Sequence, residues 1–397
     1  MIGEKMTINW SGRAFDYNEE EIAALVEAAL HADPLTQGKY LEQFQSDFAA
    51  YLGVKNCFAV ANATNALDIA AILSGLKKGD EVIIPAHTFC ASAYPFGRTG
   101  AKIIWADIDP DTRIVSVESI EKLITDKTKV IIAVHLYGLM ADMNAIMNVA
   151  KKNKIFVVED CAQSIGAELD GKKAGSFGDC GVFSFHGQKN LTTLGEGGAI
   201  TVKSHELAAK VPGLRHHGGR SYPTGREHYW IPAMSDVDVD IEGVWPLNTC
   251  LGEPQCALAS AVLKRLDSMN EERITRAKYF MDELKDFPEL SFQKVKKGYK
   301  HVYHLLAAKY EGKNGKTSND LIKILFYEYN IKAIVQYYPL YRYPLFQKMG
   351  FGTADCPNTD KYYDNMISFP FHLWMSDEEF NYMINCTKKA LLKLRGE

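Results

Sequence analysis

The chain has 397 residues, 47% of them hydrophobic, enough to bury a sizeable core and longer than one ordinary domain requires. Its 45 basic and 49 acidic residues give a formal net charge of -4. There is no basic stripe for a phosphate backbone, which argues against a nucleic-acid partner. No apolar run approaches the roughly 20 residues that span a bilayer, and the opening MIGEKMTINW carries no signal-peptide-like stretch, so no membrane partner and a cytoplasmic location are expected.

In chain order, Ile22 to Ala29 has helical spacing, and Tyr40 to Leu52 sets Leu41, Phe44, Phe48 and Leu52 on one face. Short apolar runs come next at Cys57–Ala61, Glu81–Ile84, Ile103–Ala106, Val130–Val134, Phe156–Val158, Gly181–Phe185 and Ala199–Val202. Apolar throughout and separated by helical segments, they predict parallel strands buried on both faces. That is an α/β architecture, whose ligands gather at the carboxyl ends of the strands. The stretch from Arg215 to Pro246 is rich in Gly, His, Tyr, Asp and Pro and has no period, which reads as a functional segment or one packed on a partner chain. Beyond it, Cys256 to Leu284 predicts one long helix and Glu378–Leu394 a closing helix. A large domain over residues 1–250 and a smaller C-terminal α/β domain over 251–397 are expected, with N-terminal residues able to pack on the smaller one. The eight cysteines form no CxxC pair, suggest no zinc site, and read as reduced structural thiols.

Four segments carry chemistry. Phe156-Val157-Val158-Glu159-Asp160 is an apolar strand ending in two acids, where a carboxylate can face a ligand crevice or merely cap the next segment. Asp160 there suits a pyridine nitrogen that must stay protonated to act as an electron sink. Gly181 to Lys189 is a strand running through a turn to a lysine, 29 residues after the aspartate. A lysine on such a turn can form a Schiff base and shuttle a proton, or it can be an ordinary solvated lysine. The glycine-dense Gly195-Glu196-Gly197-Gly198 turn speaks for close backbone approach. Asn62-Ala63-Thr64-Asn65, between a strand and a helix, suits a phosphate on free N–H groups or a simple cap. Phe89, after the Val82–Ile84 strand, can stack on a flat ring or belong to the core.

Together these segments resemble the DegT/DnrJ/StrS family of sugar aminotransferases, fold-type I enzymes that use pyridoxal 5'-phosphate (PLP). The resemblance covers almost the whole chain, from Leu35-Thr36-Gln37-Gly38 through Glu159-Asp160-Cys161-Ala162-Gln163-Ser164 and Lys189-Asn190 to Ser368-Phe369-Pro370. It implies a large domain with a mainly parallel central sheet flanked by helices, and a smaller C-terminal domain. It implies that Lys189 holds the cofactor, Asp160 meets its pyridine nitrogen, Gln163 lies by its O3′ side, and Phe89 stacks on its ring. Thr64, Asn65 and Ser184 would hold the phosphate. Asn248 would reach the phosphate of a neighbouring subunit, which implies a homodimer with shared sites.

The family pattern further implies an amino group moved from L-glutamate or L-glutamine, through the pyridoxamine form, to a keto sugar, most often nucleotide-linked. Two departures bear on the acceptor. The usual Asn-aromatic-Arg run reads Asn248-Thr249-Cys250, and the usual His-Tyr pair reads Gln336-Tyr337, with Tyr341 in place of the later histidine. A keto sugar phosphate or keto-cyclitol is therefore the alternative acceptor. His186, Arg215 and Tyr337 are candidate substrate contacts, and Arg220, Arg226, His216 and His217 could bind an anion. A PLP-dependent sugar dehydratase, which carries histidine in place of the Schiff-base lysine, is disfavoured by Lys189. A non-catalytic binding protein is disfavoured by the intact Asp160, Gln163 and Lys189 set.

Overall fold

The computed structural model describes residues 6–219, 237–313 and 315–397. Helix α1 (Glu19–His31) starts at a capping box, in which Asn18 and Glu21 satisfy each other's backbone N–H groups. Helix α2 (Lys39–Leu52) buries Leu41, Phe44, Phe48 and Leu52, the face its spacing predicts, and closes on Gly53 at φ 70°. Each such side chain contributes about 1.5–3 kcal/mol when fully buried.

All seven apolar runs are strands of one sheet. They are β1 (Cys57–Val60), β2 (Glu81–Pro85), β3 (Lys102–Ala106), β4 (Thr128–Val134), β5 (Phe156–Asp160), β6 (Cys180–Ser184) and β7 (Gly198–Val202). Their order is β1-β7-β6-β5-β4-β2-β3. One expectation needs correcting, because β7 runs antiparallel to both β6 and β1. The 13-residue link from β6 to β7 contains no crossover helix, the usual means of bringing a chain back in parallel, and the strand returns antiparallel. The remaining neighbours pair in parallel, so the carboxyl ends of β1, β2, β5 and β6 share one edge. Helix α3 (Ala63–Leu73) succeeds β1, and α4 (Met143–Asn153), capped by Asp142, lies between β4 and β5.

The expected long helix from Cys256 to Leu284 is two helices, α5 (Glu253–Leu263) and α6 (Leu266–Glu283). Neither glycine nor proline marks the break. Arg265 sits there and donates to Glu21 on α1 and, at 2.7 Å, to the Asp16 carbonyl, so a tertiary contact overrides a continuous helical sequence. A second core gathers Ile8, α6 from Ile274 onward, β8 (Leu290–Phe292), β9 (Leu306–Tyr310), α7 (Ser318–Tyr329), β10 (Met366–Phe369) and α8 (Asp377–Arg395). Its strands form an antiparallel sheet in the order β8-β9-β10. All eight cysteines are free, and six are buried. No helix among the described residues is long and apolar enough to cross a membrane.

Candidate active site

The shared strand edge opens into a cleft of about 690 Å³, within the range of small-molecule sites. Asp160 ends β5 on its floor. The Ser92 hydroxyl donates to Asp160 Oδ2 at 2.7 Å and the Ala162 N–H to Oδ1 at 3.1 Å, so the carboxylate is held from two sides. Three residues on, Gln163 accepts the Tyr137 N–H at 2.8 Å and donates to the Tyr337 hydroxyl at 3.1 Å.

Lys189 enters from the turn after β6. Its N–H donates to the His186 carbonyl at 2.8 Å, and the Gly187 N–H to the Gly195 carbonyl at 3.0 Å. From outside, the Ala14 N–H binds the Gly187 carbonyl at 3.1 Å, and Asn190 donates to Asn270 at 2.9 Å. The lysine therefore stands on a braced turn. Burial pulls its ammonium down to about 8, against the opposing charges of Asp160 and Glu196. A much larger share of neutral, nucleophilic amine is thus present near neutral pH than on a solvated lysine.

At the other end of the cleft, Asn62 accepts the Asn65 N–H at 2.9 Å, and its carbonyl takes the Ala66 N–H. The N–H groups of Ala63 and Thr64 have no intrahelical acceptor and remain for an anion. Gly198 of β7 passes directly beneath, where a Cβ would lie 2.5 Å from the Asn62 carbonyl carbon. Only glycine lets the strand support this turn. Ser184 and His186 line the same region, and Phe89 stands 51% exposed at the wall, its ring edge-on to Tyr337 at 5.7 Å.

Of the eleven residues expected to meet the cofactor or the substrate, nine thus come together in one cleft: Thr64, Asn65, Phe89, Asp160, Gln163, Ser184, His186, Lys189 and Tyr337. Two do not. Arg215 is buried elsewhere, donating to Gln45 Oε1 at 2.6 Å, the Ala59 carbonyl at 2.9 Å and Gln37 Oε1 at 2.8 Å. Its guanidinium ties α2 to β1 and is spent on structure, which corrects its reading as a substrate contact. Asn248 is exposed and pairs with His216 away from this cleft. Arg220 and Arg226 lie outside the described residues. Ser92, Tyr137 and the Arg98–Asp68 pair at the cleft wall were not legible in the sequence, because their partners are set only by the fold.

Residues 16–388 match the model of the DegT/DnrJ/EryC1/StrS aminotransferase family. The chain belongs to this family. It is 34% identical over 372 residues to the spore coat polysaccharide biosynthesis protein SpsC of Bacillus subtilis (strain 168), covering 93% of this chain and 94% of that one. It is 30% identical over 353 residues to the GDP-perosamine synthase of Vibrio cholerae, covering 89% and 91%. Among solved structures, the PLP-form of Streptococcus pneumoniae Spr1654 superposes with a TM-score of 0.86 at 25% identity, covering 98% of this chain and 100% of that one. The chain is accordingly a sugar-family aminotransferase of the PLP-dependent class, with the fold-type I architecture. Its donor set fits the cofactor: an amine of lowered basicity, a buried carboxylate, a helix terminus with N–H groups to offer and an exposed aromatic ring.

The aminotransferase's other β5 acid, Glu159, serves the scaffold. It is fully buried and accepts from His135 Nε2 at 3.0 Å and from the N–H groups of Gly175, Phe177 and Gly178 at 2.7–3.0 Å. His135 Nδ1 takes the Ala141 N–H at 3.1 Å. Both side chains are satisfied, so the buried His135, Glu159 and Cys161 trio needs no metal. Burial would raise the Glu159 carboxyl, but the His135 hydrogen bond and the backbone donors outweigh it and hold the group below its ordinary value. A depressed folded-state value stabilises above the unfolded value and is lost as pH falls through the folded one. Glu159→Gln turns one of the two accepting oxygens into an NH2 that faces donors, and should cost about 1–3 kcal/mol of unfolding free energy at neutral pH for each buried donor left unpaired. The deficit should shrink as pH falls below the ordinary carboxylate range; chemical denaturation at neutral and acid pH checks it.

Proposed function

We propose that this enzyme moves an amino group from L-glutamate or L-glutamine to a keto sugar, most naturally one linked to a nucleotide. The observation that carries this reading is the convergence of Lys189, Asp160 and Gln163 with the α3 terminus in one cleft. When bound, PLP supplies the electron sink that stabilises negative charge at the substrate carbon. Lys189 would hold the cofactor covalently and, once released, carry the proton between the substrate carbon and the cofactor. Asp160, fixed by Ser92 and Ala162, would keep the pyridine nitrogen protonated. Gln163 would orient the ring's O3′ side, Phe89 would cover one face, and Ser184 would join the Thr64 backbone at the phosphate, with Asn65 lining the site while its N–H is held by Asn62. His186 and Tyr337 would face the substrate.

We also read the chain as a large and a smaller C-terminal domain. Two hydrophobic cores support the pair, although the first core still takes in Leu251 to Met269 and the second, Ile8 aside, begins at Ile274, which favours a change nearer Ile274 than residue 250. The acceptor class draws support from the Vibrio relative's name, while Gln336 and Tyr341 keep a keto sugar phosphate or keto-cyclitol as the second reading. The deciding experiment loads the protein with PLP and offers each donor. The resulting pyridoxamine form then meets a panel of nucleotide-linked keto sugars, keto sugar phosphates and keto-cyclitols. Amination of a nucleotide-linked sugar supports the reading, and turnover with a cyclitol alone overturns it.

The enzyme is further read as a homodimer in which Asn248 contributes to the partner's cofactor phosphate. Its exposed side chain and its place away from its own cleft support this. Lys189→Ala and Asn248→Asp should each be inactive, the second because a carboxylate repels the phosphate. A mixed dimer then holds one site with both defects and one with neither, so mixing should restore up to about a quarter of wild-type activity in a random mixture. No recovery in mixtures shown to exchange subunits contradicts shared sites.

A further inference from the structure

Tyr137 does not line the cleft, yet it touches the pieces that aim the cleft's polar wall. It is fully buried, at φ 63°, in the turn after β4. The next residue must be glycine, since a Cβ at Gly138 would lie 2.9 Å from the backbone nitrogens of Tyr303 and His304. The Tyr137 N–H donates to Gln163 Oε1, which decides how that amide faces and leaves its Nε2 to donate to the Tyr337 hydroxyl. The Tyr137 hydroxyl donates to the Gln336 carbonyl at 2.7 Å, one residue before Tyr337. The two tyrosine rings lie 6.4 Å apart and nearly parallel, at 14°.

A phenol has one hydrogen. Because Tyr137 gives its hydrogen to Gln336, His87 Nε2 must be the donor in its 2.7 Å contact with the same hydroxyl. Burial, and then the Arg113 guanidinium, hold His87 neutral by pulling it down to about 3. Arg113 is itself buried, donating to Ser291 at 2.8 Å and lying over the Tyr362 ring, which packs on His87. Since the Gln336 carbonyl can only accept, the Gln336 and His87 contacts set the directions of the bonds at the Tyr137 hydroxyl. Tyr337 accepts from Gln163, so the Tyr337 hydrogen is left for whatever occupies the cleft. Burial raises the Tyr337 hydroxyl above its ordinary value, so that hydrogen stays in place.

We propose that Tyr137 is a positioning residue for the transamination: its N–H and its hydroxyl orient the Gln163–Tyr337 pair so that Tyr337 presents a hydrogen, rather than a lone pair, to the ligand. The inference rests on the aminotransferase reading and adds the residue that sets its polar wall.

The test is a double-mutant cycle on the PLP-loaded enzyme, monitoring the single-turnover rate with L-glutamate. Tyr137→Phe keeps the ring and the N–H and removes only the hydroxyl. It should slow the half-reaction about tenfold, the loss expected for one well-placed hydrogen bond. It should also shift the pH midpoint of the cofactor's visible absorbance. Tyr337→Phe should slow the reaction at least as much, and the double variant should be no slower than Tyr337→Phe alone. Should Tyr137→Phe fold poorly, His87→Ala removes the hydroxyl's fixed donor and should show the same non-additivity. Unchanged rates, or losses that simply multiply, would overturn the proposal. A wild-type enzyme inert to every amino donor would instead sink the aminotransferase reading, so the two failures are distinguishable.

Discussion

Lys189→Ala should lose turnover by at least about 10⁴-fold while the protein folds and still binds PLP reversibly. Two separate contributions vanish together. The covalent link is lost, and so is the proton carrier, whose class of catalysis alone supplies roughly 10²–10⁴-fold. Folding should survive because the turn is braced by backbone bonds at Gly187, Gly195 and His186 and by Asn190 on Asn270, none of which uses the lysine side chain. Reversible binding should survive because the α3 terminus, Ser184 and Phe89 stay in place. The check is steady-state turnover beside dialysis of the bound chromophore: the wild type should keep its colour and the variant should release it. An arginine or a histidine in place of Lys189 should not restore activity, since neither offers a neutral primary amine.

Asp160→Asn should bind PLP and lose most of its turnover, by about ten- to a hundred-fold. The amide is nearly isosteric, and its oxygen can still accept either the Ser92 hydroxyl or the Ala162 N–H. It cannot favour a protonated pyridine nitrogen. Losing a charge-assisted hydrogen bond costs about 1.5–3 kcal/mol, and that cost falls on the rate if the interaction acts chiefly in the transition state. The contrast with Glu159 sharpens the expectation. Both acids end β5, yet Glu159→Gln should be read in stability and Asp160→Asn in rate. Near-wild-type turnover in Asp160→Asn would count directly against its role at the ring.

Much of the fold was legible because buried parallel strands are apolar on both faces and short. All seven central strands were found from that pattern, and the α2 face from its spacing. What misled was what pattern does not encode. The direction of β7 depends on its connection, and the break at Arg265 depends on Glu21 and Asp16, far away along the chain. Within the cleft, the residues proposed for the cofactor sit at or just after strand ends, where position along the chain predicts position in space. Arg215 was misjudged because a buried arginine and a substrate-binding one look alike in sequence. Only its bonds to Gln37, Gln45 and Ala59 separate them. Ser92 and Tyr137 had no sequence signal, since each acts on a residue far along the chain.

The proposed chemistry turns on one covalent bond, between Lys189 and PLP, and one measurement addresses it. The PLP-loaded protein is reduced with borohydride, digested, and the modified peptide sequenced by mass spectrometry. A single reduced phosphopyridoxyl group on Lys189, absent when the enzyme is first converted to its pyridoxamine form by an amino donor, is the predicted result. Modification of any other lysine, or a Lys189 adduct that an amino donor does not prevent, would contradict it.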